Sequence, residues 1–88
     1  MDDEPLILAS AKRHRLNDDD ILNAYGFALA YFTDHSGERP LLMLLGPDCS
    51  GTSLLEIGVV ERHDYDAVCI VHAMPARPAS LQKGGLQG

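Results

Sequence analysis

Three strand-length apolar runs, separated by short turns, constrain the fold of this chain more than any other feature. The runs are LLMLLG, SLLEIGVVE and DAVCIVHAM, and the turn signals between them are GPDCSGT and RHDYD. Antiparallel neighbours are joined by tight turns, whereas parallel neighbours need a crossover of about a dozen residues or more. The sequence therefore predicts an antiparallel meander and excludes a parallel Rossmann-like sheet.

The first third of the chain has a helical pattern. Pro5 suits the first turn of a helix, and Asn17 is a good amino-terminal cap for a second helix over about 18–32. Cations that favour a helix carboxyl end lie between them: Lys12, Arg13 and Arg15. The predicted fold class is α+β, with two N-terminal helices packed on a three- to four-stranded antiparallel meander sheet. The fourth strand would be a short segment near 31–35. The expected core includes Ile21, Leu29, Leu55, Ile57 and Val59.

The length of 88 residues predicts one domain, spanning residues 1–78. Residues 79–88 have no apolar period and are expected to form a loose C-terminal tail. The runs LLMLL and CIV are too apolar for so small a core to cover on both faces, which predicts a homodimer or a stable complex with a partner protein. Cys49 and Cys69 are too few for a disulfide scaffold or a cysteine zinc site, so both are interpreted as free thiols.

The net charge of −6 opposes long-range attraction of nucleic acid. Two acidic runs, DDE near the start and DDD at 18–20, hold six of the 13 acidic residues, and the remaining seven balance the seven Lys and Arg. No apolar run approaches the ~20 residues that span a bilayer. The first residues, MDDEPLIL, are acidic where a secretory signal would be basic, so we expect a cytoplasmic protein.

A histidine interrupts the last apolar run. Strict alternation predicts that four residues of this run share one face: Val68, Ile70, His72 and Met74. In the middle run, Glu56 and Arg62 are predicted on the open face of the sheet. Whether His72 joins them depends on the strand register, which the sequence leaves open.

The segments KRHRLNDDDI, ERPLLMLLGPD and IVHAMPARP follow one another in this order, with Glu56 in the strand between the last two. This series resembles the small toxins of BrnT-like type II toxin–antitoxin systems, in the divergent form of their actinobacterial relatives, over about residues 10–78. The resemblance implies a RelE-like fold of two helices against an antiparallel sheet. It also implies an endoribonuclease activity held in check by a cognate antitoxin.

Cleavage of RNA through its own 2′-hydroxyl needs a proton acceptor, cations for the phosphate and a proton donor for the leaving oxygen. Four residues are assigned to this catalysis: His72, Arg77, Arg39 and Glu56. Lys12 and His14 match the basic helix end of the resembling family and are assigned to RNA binding. We expect no cofactor and no metal, because the three neighbouring aspartates at 18–20 point apart at a helix start and act there as capping charges.

Other interpretations of these residues remain open at this point. His72 is also compatible with a structural histidine that faces the helices and bonds to backbone, and Arg77 with a solvated or antitoxin-facing side chain. The chain as a whole would then be a non-catalytic protein-interaction domain with a degenerate toxin fold. The geometry around His72 separates the two, because a catalytic role requires Glu56, Arg39 or Arg77 within hydrogen-bond or single-water reach.

Overall fold

A computed structural model describes residues 4–86 of the chain. Within this range the elements follow in the order β1 (Leu6–Ile7), a 3-10 helix (Ala9–Lys12), α1 (Asp18–Gly26), β2 (Ala30–Asp34), β3 (Leu41–Pro47), β4 (Leu54–Arg62), β5 (Ala67–Pro75) and α2 (Pro78–Lys83). The strands form one sheet in the order β1-β5-β4-β3-β2. β2 to β5 make an antiparallel meander, in which β3, β4 and β5 occupy the three apolar runs.

The predicted fold of two N-terminal helices on a purely antiparallel sheet is wrong, and so is the RelE-like arrangement that the resemblance implies. The sheet is mixed, because β1 pairs in parallel with β5, and the backbone N–H of Leu8 extends this pairing to the carbonyl of Ile70 at 3.0 Å. A short helix is only marginally stable in water unless it packs against other parts of the protein. Pairing along the β5 edge satisfies the backbone of this segment instead, and only one turn of 3-10 helix follows.

The second predicted helix has nine residues, where about 15 are expected. Asn17 is its cap, and the Asn17 Oδ1 accepts the N–H of Asp20 at 2.8 Å, but α1 ends at Gly26. Residues 30–34 form β2, close to the short fourth strand expected near 31–35, and its pairing with β3 starts where the Leu29 N–H donates to the Leu45 carbonyl at 2.7 Å. Leu29 is therefore 66% exposed, and its predicted place in the core is wrong.

The main core lies between α1 and one face of the sheet. Its buried members are Ala11, Ile21, Ala24, Leu55, Ile57, Val59, Ile70 and Ala73. The helix lies directly on β3, since a Cβ added to Gly46 would collide with the carbonyl oxygen of Ala24. Glycine at this position therefore allows α1 to approach the sheet closely.

The opposite face of the sheet is covered by α2, in the region where the sequence predicts a loose tail. Pro78 occupies the first turn of this helix, which is a favoured position for proline. Lys83 lies over the ring of Phe32, and a Cβ at Gly84 would touch Leu45 and Ala30. These contacts place the end of α2 against part of the second face, over β2 and β3. The rest of the predicted tail is described as far as residue 86.

Both cysteines carry free thiols, with Cys49 exposed and Cys69 buried. Across residues 4–86, no helix has the length and apolar character needed to cross a membrane.

Candidate functional site

Glu56 lies at the centre of a polar cluster on the face covered by α2. Its side chain is fully buried, and its Oε1 accepts the backbone N–H of Arg77 at 3.0 Å and the Arg77 Nε–H at 3.1 Å. Its Oε2 accepts the Arg77 Nη2 at 2.6 Å and contacts the His72 Nε2 at 2.8 Å. The sequence predicts Glu56 on an open face of the sheet. This prediction is wrong, because α2 covers this part of the sheet and Glu56 is buried.

A β-bulge in β5 decides the direction of His72. Gly58 pairs with His72 but Val59 pairs with Ile70, so Val71 is an extra residue in the strand. Ile70 consequently packs in the main core while His72 points to the other face, toward Glu56. The prediction that Ile70 and His72 share a face is therefore wrong.

Gly58 gives His72 the room it needs. A Cβ at position 58 would lie 3.0 Å from the His72 Cβ and 2.9 Å from the Leu41 Cδ2. Both approaches are tighter than ordinary side-chain contacts. A larger residue here would push the imidazole away from Glu56.

Arg77 lies at the start of α2 and contacts the cluster from there. The strand ladder ends at Pro75, and Arg77 is the residue that precedes the helix, with extended backbone angles. This conformation turns both the backbone N–H and the guanidinium of Arg77 toward Glu56. Ser80, one turn into α2, is buried next to the same carboxylate and helps to lower its pKa.

The contacts of Glu56 keep it ionised. Burial alone raises the pKa of Glu56, but hydrogen bonds from the side chain and backbone of Arg77, from Ser80 and from His72 outweigh it and lower the pKa from 4.5 to about 2. An ionised carboxylate only accepts hydrogen bonds. The His72 Nε2 must therefore carry the proton in this contact, so that Nδ1 is the nitrogen with a lone pair when the ring is neutral.

A second histidine ring lies beside His72. The centroids of His14 and His72 are 6.2 Å apart, with the rings at 76° to each other. The 3-10 helix brings His14 there, because Ser10 donates its hydroxyl to the carbonyl of the bulged Val71 at 2.8 Å. Arg15 follows His14 with a φ of 62°, a left-handed conformation that is uncommon outside glycine.

The structure brings together three of the four residues predicted to be catalytic, His72, Glu56 and Arg77. Arg39 lies apart from them, in the exposed bend between β2 and β3, and forms no hydrogen bond or ion pair with any residue between 4 and 86. Of the two residues assigned to RNA binding, His14 joins the cluster, and the Lys12 Nζ lies 3.5 Å from the Asp18 carboxylate at the surface.

Ser80 is the member of the cluster that the sequence interpretation misses. A signal for it was present, since a proline directly after Arg77 is typical of a helix start and would have placed Ser80 in the first turn.

The chemical capacity of the cluster is that of a carboxylate–histidine pair. The carboxylate holds the imidazole in one tautomer and stabilises the imidazolium that forms when Nδ1 accepts a proton. The His72 side chain is 27% exposed, so part of the ring reaches solvent, whereas Glu56 is completely buried and cannot reach a substrate. Arg77 is 56% exposed and retains N–H groups that do not contact Glu56.

No group of three or more His, Cys, Asp or Glu side chains within residues 4–86 is arranged to hold a metal ion. The aspartates at 18–20 occupy the first turn of α1, where they face the positive end of the helix dipole.

An apolar surface lies away from this cluster. An open groove beside the end of α1 is lined mainly by Tyr25, Leu42, Leu44, Val59 and Val68. Near it, around the outer edge strand β2, Phe27, Leu29 and Tyr31 are each exposed by 66% or more. This surface contains none of the residues predicted to be catalytic.

No family model matches the sequence, and comparisons with curated proteins and with solved structures find no match either.

Proposed function

We propose that this chain is a toxin-like endoribonuclease that cleaves RNA by attack of the 2′-hydroxyl, with His72 as the general base. The observation that carries the proposal is the hydrogen bond between the His72 Nε2 and the buried, ionised Glu56, which leaves Nδ1 to accept a proton. The resemblance of KRHRLNDDDI and IVHAMPARP to BrnT-like toxins supports RNA as the substrate. It also supports a cognate antitoxin as a partner in the cytoplasm.

The roles of the other residues follow from their contacts. Glu56 is a positioning residue, because it orients His72 and touches no substrate. Arg77 positions Glu56 through Nε and Nη2, and its remaining N–H groups are available to a phosphate oxygen. Lys12 and Arg39 are exposed cations suited to the RNA backbone beyond the cleaved bond.

The charge distribution permits RNA binding in spite of the acidic total. Three cations, Lys12, Arg13 and Arg15, flank His14 in the sequence, and Arg77 contacts Glu56 in the cluster. Local cations attract phosphate over about 8–10 Å at physiological salt, while the two acidic runs repel it at longer range. Cleavage by this protein should therefore weaken steeply as salt is added.

His72→Ala is expected to reduce cleavage of single-stranded RNA by about 10²–10⁴-fold, the usual contribution of a positioned general base. The measurement is the initial rate of cleavage with purified protein, with the cyclic phosphate end analysed in the products. His63→Ala is the matched control, because His63 lies in the exposed turn between β4 and β5. Wild-type protein that leaves RNA intact, or full activity in the His72 variant, would remove the proposal.

A second candidate function, a non-catalytic protein-interaction domain, is favoured by the exposed apolar residues around β2. We propose a second copy of this chain as the partner, through antiparallel pairing of β2 with its own copy. With Phe32 at the two-fold axis, Tyr31 would pair with Thr33 and Ala30 with Asp34, so no like charges would face each other. β2 also has no lysine or proline to block such edge pairing.

Sedimentation at micromolar concentration is expected to show a dimer for this second candidate. Tyr31→Glu should convert it to a monomer, because the exposed ring would be replaced by a charge beside its copy. Tyr65→Glu, an exposed tyrosine in the turn after β4, should remain dimeric. A wild-type monomer at these concentrations would contradict edge pairing.

A further inference from the structure

We propose that His14 is the second acid–base residue of this site and protonates the oxygen that leaves when RNA is cleaved. This inference rests on the proposed function and extends it, since His72 alone accounts for one of the two proton transfers. The observation that carries it is the edge-to-face contact of the His14 and His72 rings, 6.2 Å between centroids.

The turn that carries His14 is anchored at several points. Ser10 bonds to the carbonyl of Val71, and Ala11 is completely buried in the main core. After His14, the N–H of Arg15 donates to the Lys12 carbonyl at 3.1 Å, and the left-handed φ of Arg15 turns the chain away. Left-handed backbone at a non-glycine residue costs free energy and persists where the surroundings enforce it. His14 is thus an exposed side chain on a fixed segment.

The spacing of the two rings suits one phosphodiester. A group that transfers a proton lies about 2.6–3.2 Å from the atom it serves. Attack and departure occur on opposite sides of the phosphorus atom in an in-line displacement, so base and acid must approach from two directions. His72 lies on β5 and His14 in the turn after the 3-10 helix, and in the proposed arrangement the phosphate contacts both rings, with His72 next to the 2′-oxygen and His14 next to the 5′-oxygen.

The proton balance of the reaction assigns one role to each ring. The His72 Nδ1 accepts the proton of the 2′-hydroxyl, the 2′-oxygen forms a bond to phosphorus, and the bond from phosphorus to the 5′-oxygen breaks. Protonated His14 gives its proton to that 5′-oxygen. The products are a 2′,3′-cyclic phosphate and a 5′-hydroxyl, and no oxidant, reductant or further reactant is needed.

The contacts of the two rings decide which is the base. His72 is bonded to the Glu56 carboxylate, which stabilises the positive ring formed when His72 accepts a proton. His14 has no bond to a carboxylate among residues 4–86, and it lies between Arg13 and Arg15. The bond to Glu56 fixes the tautomer of His72 with Nδ1 as the proton acceptor, so the second proton transfer is assigned to His14.

The test compares two substrates in the same variant. One is a dinucleotide of RNA, whose 5′-oxygen must be protonated as it leaves. The other is uridine 3′-(p-nitrophenyl phosphate), whose phenolate leaves without a proton. His14→Ala is expected to lose about 10²–10⁴-fold in kcat/KM on the dinucleotide and to stay within a few-fold of wild type on the nitrophenyl ester. His72→Ala should lose activity on both substrates, and His63→Ala, in the exposed turn between β4 and β5, should change kcat on neither.

Each other outcome has a distinct meaning. Equal losses of the His14 variant on both substrates would assign His14 to binding or structure and overturn the inference, while the proposed function would stand. Full activity of the His14 variant on the dinucleotide would overturn it as well. Wild-type protein inactive on both substrates and on longer RNA would remove the proposed function, and the inference with it.

Discussion

Arg77→Ala is expected to lower the free energy of unfolding by about 3 kcal/mol, because it leaves the Glu56 carboxylate buried without its guanidinium partner. Arg62→Ala is expected to lower it by less than about 1 kcal/mol. The two arginines make nearly the same contact. Arg62 donates its Nε and Nη2 to the two oxygens of Asp64 at 3.1 and 2.8 Å, as Arg77 does to Glu56 at 3.1 and 2.6 Å.

The difference between the two pairs lies in the carboxylate. Asp64 is 59% exposed, so water solvates it when Arg62 is removed, whereas Glu56 has no exposed surface. A domain of this size has about 4–13 kcal/mol of stability in total, so a loss of about 3 kcal/mol moves the urea midpoint visibly. Urea unfolding at pH 7 by circular dichroism measures both variants. Equal losses of unfolding free energy in Arg77→Ala and Arg62→Ala would mean that the burial of Glu56 does not determine how much its ion pair contributes to stability.

Glu56 is also expected to govern the acid stability of the protein. Its pKa in the folded state is about 2, below the ordinary 4.5. A depressed carboxyl pKa contributes stability that is fully present above about pH 4.5 and is lost as the pH falls toward 2. The size of the shift corresponds to about 3 kcal/mol.

Comparison with Glu56→Gln isolates this contribution. The variant should be about 3 kcal/mol less stable than wild type at pH 7. The two curves of unfolding free energy should approach each other as the pH falls toward 2, where about half of wild-type Glu56 is protonated in the folded state. Asp34, Asp48 and Asp64 also have lowered pKa values, caused mainly by hydrogen bonds. They make the unfolding free energy depend on pH to the same extent in wild type and in Glu56→Gln. A constant difference between the curves from pH 7 to 2 would contradict the assigned pKa.

The Glu56 cluster links stability to the proposed activity. The carboxylate that is stabilised by Arg77 is the same group that orients His72, so Arg77→Ala should disturb the histidine as well as the fold. In RNA cleavage, a positioning role of this kind predicts a loss mainly in kcat, with KM changed little. A variant that loses only binding would instead indicate that Arg77 contacts the phosphate alone.

Local patterns in the sequence determined the parts of the fold that depend on neighbouring residues. The apolar runs of β3, β4 and β5 are bounded by their own turn residues, so their positions and antiparallel pairing follow from short-range geometry. The Asn17 cap is equally local, since its hydrogen bond reaches only to Asp20. Residue chemistry also indicated His72, Glu56 and Arg77 as candidates for one site.

Tertiary structure decided the elements whose stability comes from a distant partner. β1 exists because β5, more than 60 residues away, offers an edge, and β2 replaces the end of the predicted helix because β3 pairs with it. Apolar residues at helical spacing in 18–32 favour a helix locally, but backbone pairing and sheet packing outweigh so weak a preference.

The geometry of the site depends most on one long-range interaction of this kind. The extra residue Val71 turns His72 toward Glu56, and its carbonyl is bonded by Ser10, whose position depends in turn on the parallel pairing of β1. Alternation along a strand assumes an unbroken ladder, so a single bulge reverses the faces beyond it. The sequence pattern therefore identified the residues of the cluster. The long-range pairing of β1 with β5 and the packing of α2 brought these residues to the same face and buried Glu56 between them.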